Sequence, residues 1–148
     1  MTDESGSAVR IFSEIEVRHL LGREVLRGTR YQDFLCLCLV RPVYPGAPVP
    51  ELQEAVAREI AEMLRSTDIV GLIGDDIIVL LVHTPGADGI LIAERIRERI
   101  EATTFSLLTP SRVTLSLALS CFPTDATADD ALLGHAQAQL PAAPPAGL

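Results

Sequence analysis

The chain has 148 residues, and 48% of them are hydrophobic, which is enough for one domain with a core of its own. Its formal net charge is −8 and its 12 basic residues are all arginines. It therefore lacks the broad positive face that binds duplex nucleic acid or anionic membranes, although a local arginine cluster could still hold one small anionic ligand.

The first half of the chain predicts two helices and one strand. Apolar residues recur every four positions over 13–30, which indicates an amphipathic helix. The apolar run 34–40 predicts a central strand that is buried on both faces and ends before Arg41-Pro42. The proline-rich segment 42–50 predicts a loop, and the helical spacing of apolar residues over 51–65 predicts a second helix.

A β-hairpin is predicted next, from two apolar runs, 68–73 and 77–83. Between them lies Gly74-Asp75-Asp76, and glycine followed by aspartate is typical of a tight turn that needs positive φ.

The second half of the chain completes the pattern. Isoleucines spaced by four residues over 92–100 predict a third helix, strict alternation over 112–122 predicts a strand, and 128–140 predicts a final helix. The domain is expected to span 13–140, between a flexible tail (1–12) and a disordered Pro/Ala tail (141–148).

The order of these elements predicts an α+β fold. It is the ferredoxin-like plan, a β-α-β-β-α-β antiparallel sheet flanked by helices. Such a plan does not by itself specify a function.

Cellular location and cysteine chemistry also follow from the sequence. Residues 1–7 lack the basic and apolar regions of a signal peptide, and no apolar run approaches the ~18 residues that span a bilayer, so the protein is expected in the cytoplasm. There are three cysteines but no C-x-x-C motif and no Cys/His cluster. Cys36 and Cys38 would share one face of their strand as buried core thiols, and a zinc site is not expected.

Residues 65–81 resemble the signature of the GGDEF (diguanylate cyclase) family, R-x-x-D-x-x-x-R-x-G-G-D-E-F followed by an apolar strand, and align with it without a gap. Further similarities follow at 93–97 (AERIR), 113–118 (VTLSLA) and 122–123 (FP). The resemblance covers about 17–143. It implies the nucleotidyl-cyclase-like form of the predicted fold and a role in bacterial cyclic di-GMP signalling.

The five signature positions themselves depart from the family pattern. They hold Gly74, Asp75, Asp76, Ile77 and Ile78. The resemblance implies a second glycine that lets the backbone approach the nucleotide, and an acidic fourth residue that works with the metal. Asp75 and Ile77 stand there instead, and isoleucine can neither ligate a cation nor accept a proton.

The end of the first core strand departs as well. The resemblance implies an acidic metal ligand there, followed by Asn and Asp residues that bind guanine, but this strand ends Leu39-Val40-Arg41-Pro42. Phosphoryl transfer depends on metal ions around the phosphates. We therefore expect a degenerate domain with no catalytic residues, no bound metal, no cofactor and no enzymatic activity.

A second family site is retained in the sequence. The resemblance implies that R-x-x-D and an arginine on the following helix bind the product cyclic di-GMP, and these positions are Arg65, Asp68 and Arg95. Arginine can pair with phosphate oxygens or a guanine edge, and can stack on a purine. The competing interpretation is structural, with Arg65 and Asp68 closing a helix end and Arg95 on a solvated face.

The sequence thus predicts a non-enzymatic regulatory domain that binds cyclic di-GMP and acts through a separate protein effector, with a homodimer as an open possibility. One alternative is a ligand-independent interaction or dimerisation module. Another is a GTP-binding pseudo-enzyme, which the missing guanine-binding positions disfavour.

Overall fold

The computed structural model describes residues 10–43, 50–106 and 110–141 of the chain. Its helices are α1 (Glu14–Tyr31), α2 (Pro50–Glu62), α3 (Gly86–Ala102) and α4 (Asp129–Gln139). Its strands are β1 (Ile11–Phe12), β2 (Leu35–Val43), β3 (Ile69–Ile73), β4 (Asp76–Val82), β5 (Thr104–Ser106), β6 (Pro110–Arg112) and β7 (Thr114–Phe122). Three predicted segments lie partly outside the described residues: residues 1–9 of the tail over 1–12, residues 44–49 of the loop over 42–50, and residues 142–148 of the tail over 141–148.

The main sheet has five strands in the order β1-β3-β4-β2-β7. β1 runs parallel to β3, and the other neighbours are antiparallel. Helices α2 and α3 pack on one face and α1 and α4 on the other, each pair over its own apolar cluster. The predicted α+β fold is therefore confirmed, as a mixed sheet flanked by four helices. Of the helices described, none has both the length and the apolar composition needed to cross a bilayer.

Strand β2 lies in the middle of the sheet, between β4 and β7, as its continuous apolar run predicted. Its residues alternate between the two apolar clusters, with Leu37 and Leu39 facing α1 and α4. Cys36 and Cys38 face α2 and α3 together, because residues two apart lie on the same side of a strand. All three cysteines are buried free thiols, as predicted.

The predicted end of β2 is wrong, since the strand continues through Arg41 and Pro42 to Val43. Pairing with β4 stops at Val40, whereas pairing with β7 continues to Val43. Pro42 is opposite Leu115, and its missing N–H lies on the side that β4 no longer covers. Proline is tolerated at such a position because no ladder hydrogen bond is lost.

Three other boundaries differ from the sequence prediction. Ile11 and Phe12 were assigned to a flexible tail but pair with β3, and the short β5–β6 ribbon was not predicted at all. Helix α2 ends at Glu62 rather than Arg65, because the next amides, Met63 N and Leu64 N, bond carbonyls three residues back. A last turn tightened in this way is common at helix ends.

Strand β7 is an edge of the sheet, and its outward backbone groups are mostly occupied by side chains. Leu115 N donates to the Glu101 carboxylate, and Leu115 O accepts from Arg97. Gln139 bonds both N and O of Leu119. Asp125 bonds Cys121 in the same way, through its carboxylate and its amide.

Candidate functional site

The β3–β4 hairpin forms as predicted, with Ile73 opposite Asp76 and Gly74-Asp75 as its two turn residues. Gly74 has φ 58°, in the left-handed region that favours glycine. A Cβ added there would meet no atom within 4 Å, so backbone conformation rather than space requires this glycine. The turn type therefore explains the first position of the signature.

Side chains from both layers of helices hold the hairpin tip. Gln53 on α2 donates its Nε2 to Gly74 O (3.1 Å) and to Asp76 O (3.0 Å). On the other side, Gly74 N donates to the Glu14 carboxylate of α1 at 3.1 Å. This bond, together with Arg18, lowers the pKa of Glu14. The turn backbone is thus fixed from two directions.

Arg41 and Asp76 form a bidentate ion pair beside the turn. Arg41 Nε lies 2.8 Å from Asp76 Oδ1, and Arg41 Nη2 lies 3.1 Å from Asp76 Oδ2. Their side chains are 30% and 12% exposed. The hydrogen bonds to Asp76 raise the pKa of the Arg41 guanidinium, which also donates to Pro141 O. Both oxygens of the third signature residue are therefore occupied by an internal cation.

The other signature side chains differ sharply in exposure. Asp75 is exposed at the turn. Ile77 is fully buried in the cluster beneath α2 and α3, and Ile78 is buried in the cluster beneath α1 and α4. The fourth and fifth signature residues therefore belong to the two cores.

Arg65 and Asp68, predicted as ligand-binding residues, bond directly to each other. The Asp68 side chain is 1% exposed and accepts hydrogen bonds from Arg65 N, Nε and Nη2 at 3.1–3.3 Å. It also accepts from Val82 N at 3.2 Å. The carboxylate thus joins the loop after α2 to the end of β4.

The Arg65 side chain remains 55% exposed although its Nη2 has several partners. Beyond Asp68, Nη2 donates to Val82 O at 2.6 Å and to Thr84 Oγ1 at 3.0 Å. These bonds fix the orientation of the guanidinium while leaving more than half of the side chain in solvent. Arg65 and Asp68 therefore link the loop after α2 to the end of β4, and this role is compatible with ligand binding by the exposed part of Arg65.

Arg95, the third predicted ligand residue, lies exposed on α3. No hydrogen bond or ion pair of Arg95 is found within residues 10–43, 50–106 and 110–141. Within those residues, hydrogen bonds and an ion pair join Arg65 to Asp68, whereas neither kind of bond joins them to Arg95.

Sequence reasoning missed two partners that shape these sites, Arg41 for Asp76 and Thr84 for Arg65. Near the end of β4, His83 Nδ1 contacts the Asp33 carboxylate, which Arg27 also approaches at 3.5 Å. Within the described parts of the chain, no group of three or more His, Cys, Asp or Glu side chains is arranged to hold a metal ion.

The family model described as diguanylate cyclase, GGDEF domain, matches residues 51–147. The chain belongs to the GGDEF family. This GGDEF domain thus comes from a family of cyclic di-GMP signalling. No curated protein matches the chain.

Solved structures agree with this GGDEF assignment at the level of fold. The GGDEF domain of YfiN (TpbB) from Pseudomonas aeruginosa is 21% identical over 86% of each chain, with a TM-score of 0.74. A diguanylate cyclase protein from Thermotoga maritima is 15% identical, covering 90% of this chain and 98% of its own, with a TM-score of 0.77. The GGDEF domain of DgcB from Caulobacter crescentus, solved in complex with cyclic di-GMP, is 12% identical over 93% and 87%, with a TM-score of 0.70.

Proposed function

We propose that this GGDEF domain is a degenerate, non-catalytic regulatory module that binds cyclic di-GMP through Arg65, Asp68 and Arg95. The observation that carries the proposal is the bidentate Arg41–Asp76 pair at the signature hairpin. It supports loss of catalysis, while the orientation of Arg65 supports retention of a ligand site.

Asp76 supports the loss of catalysis, because both of its carboxylate oxygens accept hydrogen bonds from the guanidinium of Arg41. A divalent cation bound there would have to replace hydrogen bonds that are each worth about 1.5–3 kcal/mol when a charge is involved. The positive charge of Arg41 would also repel that cation. Asp76 is therefore a poor metal ligand in this domain.

The neighbouring signature residue offers no substitute. Ile77 has no polar atom in its side chain and is fully buried under α2 and α3. Phosphoryl transfer requires metal ions that neutralise charge on the phosphates and hold the reacting oxygens in line. With Asp76 paired and Ile77 apolar, we expect no synthesis of cyclic di-GMP.

The fixed position of Arg65 supports ligand binding. Asp68, Val82 and Thr84 fix one edge of its guanidinium, so less side-chain entropy is lost when a ligand binds the rest. A guanidinium can donate to phosphate oxygens or a guanine edge and can stack on a purine ring. Arg95 on α3 would supply the second positive charge for a doubly anionic dinucleotide.

A ligand-independent interaction module is the second candidate, and α1 carries the observation that favours it. Ile15 and Leu26 are 83% and 71% exposed on this helix. They are eleven residues apart, or three helical turns, and so lie on the same side of the helix. A partner protein or a second copy would cover this apolar surface.

Two measurements test the proposal. Purified protein incubated with GTP and Mg²⁺ or Mn²⁺ is expected to yield no cyclic di-GMP, and clear synthesis would refute the loss of catalysis. Calorimetry with cyclic di-GMP is expected to give binding that is lost in Arg65→Ala and weakened in Arg95→Ala. Arg58→Ala is the control, because Arg58 is an exposed arginine on α2 outside the proposed site.

The calorimetric result separates the two candidates. Wild-type protein that binds neither cyclic di-GMP nor GTP would refute the receptor and leave the interaction module. Equal loss of binding in Arg58→Ala and Arg65→Ala would indicate nonspecific attraction to arginines rather than a site.

A further inference from the structure

Two of the three thiols face each other across neighbouring strands. Cys36 on β2 is the direct register partner of Cys121 on β7, and their Sγ atoms are 3.1 Å apart. Both thiols are free and buried. They are 85 positions apart in sequence, so only the pairing of β2 with β7 brings them together.

The backbone at this pair suits a covalent bridge. Cys121 N donates to Asp125 Oδ2 at 2.8 Å, and Cys121 O accepts from Asp125 N at 2.7 Å, so neither group bonds to β2. Cys36 and Cys121 are therefore a non-hydrogen-bonded pair of an antiparallel ladder. The Cα atoms of such pairs are about 4.5 Å apart, which lies within the range that a disulfide spans.

We propose that Cys36 and Cys121 form an oxidation site that closes to an intramolecular disulfide when the protein meets hydrogen peroxide. Only a small movement is required, because the sulfur atoms need to approach from 3.1 Å to about 2.05 Å. The strand backbones are already in register for the bond.

The reaction begins at Cys121, the more accessible thiol, which is 6% exposed whereas Cys36 is 0% exposed. A Cβ added to Gly86, the first residue of α3, would lie 3.5 Å from Cys121 Sγ, so this sulfur is next to a helix N-terminus that favours a thiolate. Burial nevertheless raises the pKa of both thiols, so excess peroxide is needed.

Peroxide converts the two thiols to a disulfide in two steps. The Cys121 thiolate attacks one peroxide oxygen, the O–O bond breaks, and the departing hydroxide takes the proton released by the thiol to leave as water. The resulting sulfenic acid on Cys121 is attacked by the sulfur of Cys36, which loses its proton. The S–S bond forms, the S–O bond breaks and a second water leaves, so that two thiols are oxidised and one peroxide is reduced.

The disulfide would alter the surroundings of Arg65. Cys36 Sγ donates to Thr84 O at 3.2 Å, and Thr84 Oγ1 accepts from Arg65 Nη2. Oxidation removes the S–H donor from Thr84. It also shifts sulfur beneath Gly89, where α3 approaches so closely that an added Cβ would lie 2.7 Å from Cys36 Sγ.

The decisive experiment counts free thiols in the wild-type protein before and after treatment with peroxide. The peroxide is quenched first, and the protein is then unfolded so that its buried thiols can be counted. We expect the count to fall from three to one, the intact mass to lose two hydrogen atoms, and dithiothreitol to restore both. Peptide mapping should join Cys36 to Cys121. Three remaining thiols, a bond to Cys38 or covalent dimers would overturn the proposal.

Matched variants sharpen this result. Cys38→Ala keeps the pair and is expected to lose both remaining thiols to one disulfide. Cys36→Ala lacks the second sulfur and is expected to form no disulfide, losing at most the Cys121 thiol as an oxygen adduct of that sulfur. If Cys36→Ala does not fold, the wild-type peptide map still decides between the outcomes.

A second readout rests on the function proposed above. If the reduced protein binds cyclic di-GMP, oxidation is expected to change its affinity about two- to tenfold, the effect of one ordinary hydrogen bond. Equal affinity would refute the link through Thr84. Absence of binding by the reduced protein would refute the receptor, while the thiol count would still decide the oxidation site.

Discussion

Removing the Arg41–Asp76 ion pair one partner at a time tests the feature on which the loss of catalysis rests. The variants are Arg41→Met, Asp76→Ala and the double variant, compared with wild type in a double-mutant cycle. The cycle isolates the energy of the pair because costs at each single position cancel.

The expected magnitude follows from geometry and burial. Fully exposed ion pairs couple by about 0.2–1 kcal/mol, and hydrogen bonds to charged groups contribute about 1.5–3 kcal/mol. Arg41 and Asp76 share two such bonds and are 30% and 12% exposed, so we expect a coupling of about 2 kcal/mol. Arg41→Met alone should cost about 3 kcal/mol, because it leaves a mostly buried carboxylate without its partner.

The assay is urea unfolding followed by circular dichroism, with ΔG extrapolated to water. Glu59 and Arg99 provide the control pair, because they join α2 to α3 at 2.7 Å but are 26% and 44% exposed. Their coupling should stay below about 1 kcal/mol. A coupling for Arg41–Asp76 no larger than that of the control would refute the claim that Asp76 is committed to an internal cation.

Three further predictions concern packing and pH. Gly89→Ala should lower stability by about 1–2 kcal/mol, because its Cβ would collide with Cys36. Gly134→Ala has open space around its Cβ and should raise stability by up to about 1 kcal/mol. Thermal melts that rank the two variants in the opposite order would contradict this packing. Ser120→Ala should stabilise by about 1 kcal/mol in urea unfolding, because Ser120 Oγ is buried without a hydrogen-bond partner in the described residues; a clear loss of stability would show that it has one. The Gly74 amide lowers the pKa of Glu14, so the Glu14 carboxylate stabilises the fold at pH values above its ordinary pKa of 4.5 and loses that contribution as pH falls through the lower folded pKa. Glu14→Gln should therefore flatten the dependence of stability on pH in this acidic window. An unchanged pH profile would exclude the bond.

The fold was largely predictable because each long element has its own local pattern. The β3–β4 hairpin is an example, since Gly74-Asp75 separates two apolar runs and Gly74 adopts the positive φ that the turn needs. β1 was not predictable in the same way. It has two residues and exists only because β3 offers it a parallel partner, a contact that no local pattern encodes.

The site was predictable as positions but not as contacts. Sequence alignment located Asp76, yet its pairing with Arg41 depends on the register of β2 against β4, which local periodicity does not determine. Pro42 concealed that register further, because a proline usually ends a central strand. Arg65 and Asp68 are close in sequence, so their mutual hydrogen bonds could be foreseen. The contact of Arg65 with Thr84 could not, because it depends on the path that the chain takes after β4.

The hydrogen bonds that cover the β7 edge limit how this domain can associate. Exposed strand edges offer rows of free amides and carbonyls on which another chain can add a strand, and such addition is the usual start of sheet-mediated aggregation. Along this edge, side chains bond the outward groups of Leu115, Leu119 and Cys121, so an incoming strand would find only Leu117 unoccupied by any described residue. A single residue with free backbone groups is too little for an added strand to pair with. Self-assembly by extension of the sheet on this side is therefore blocked.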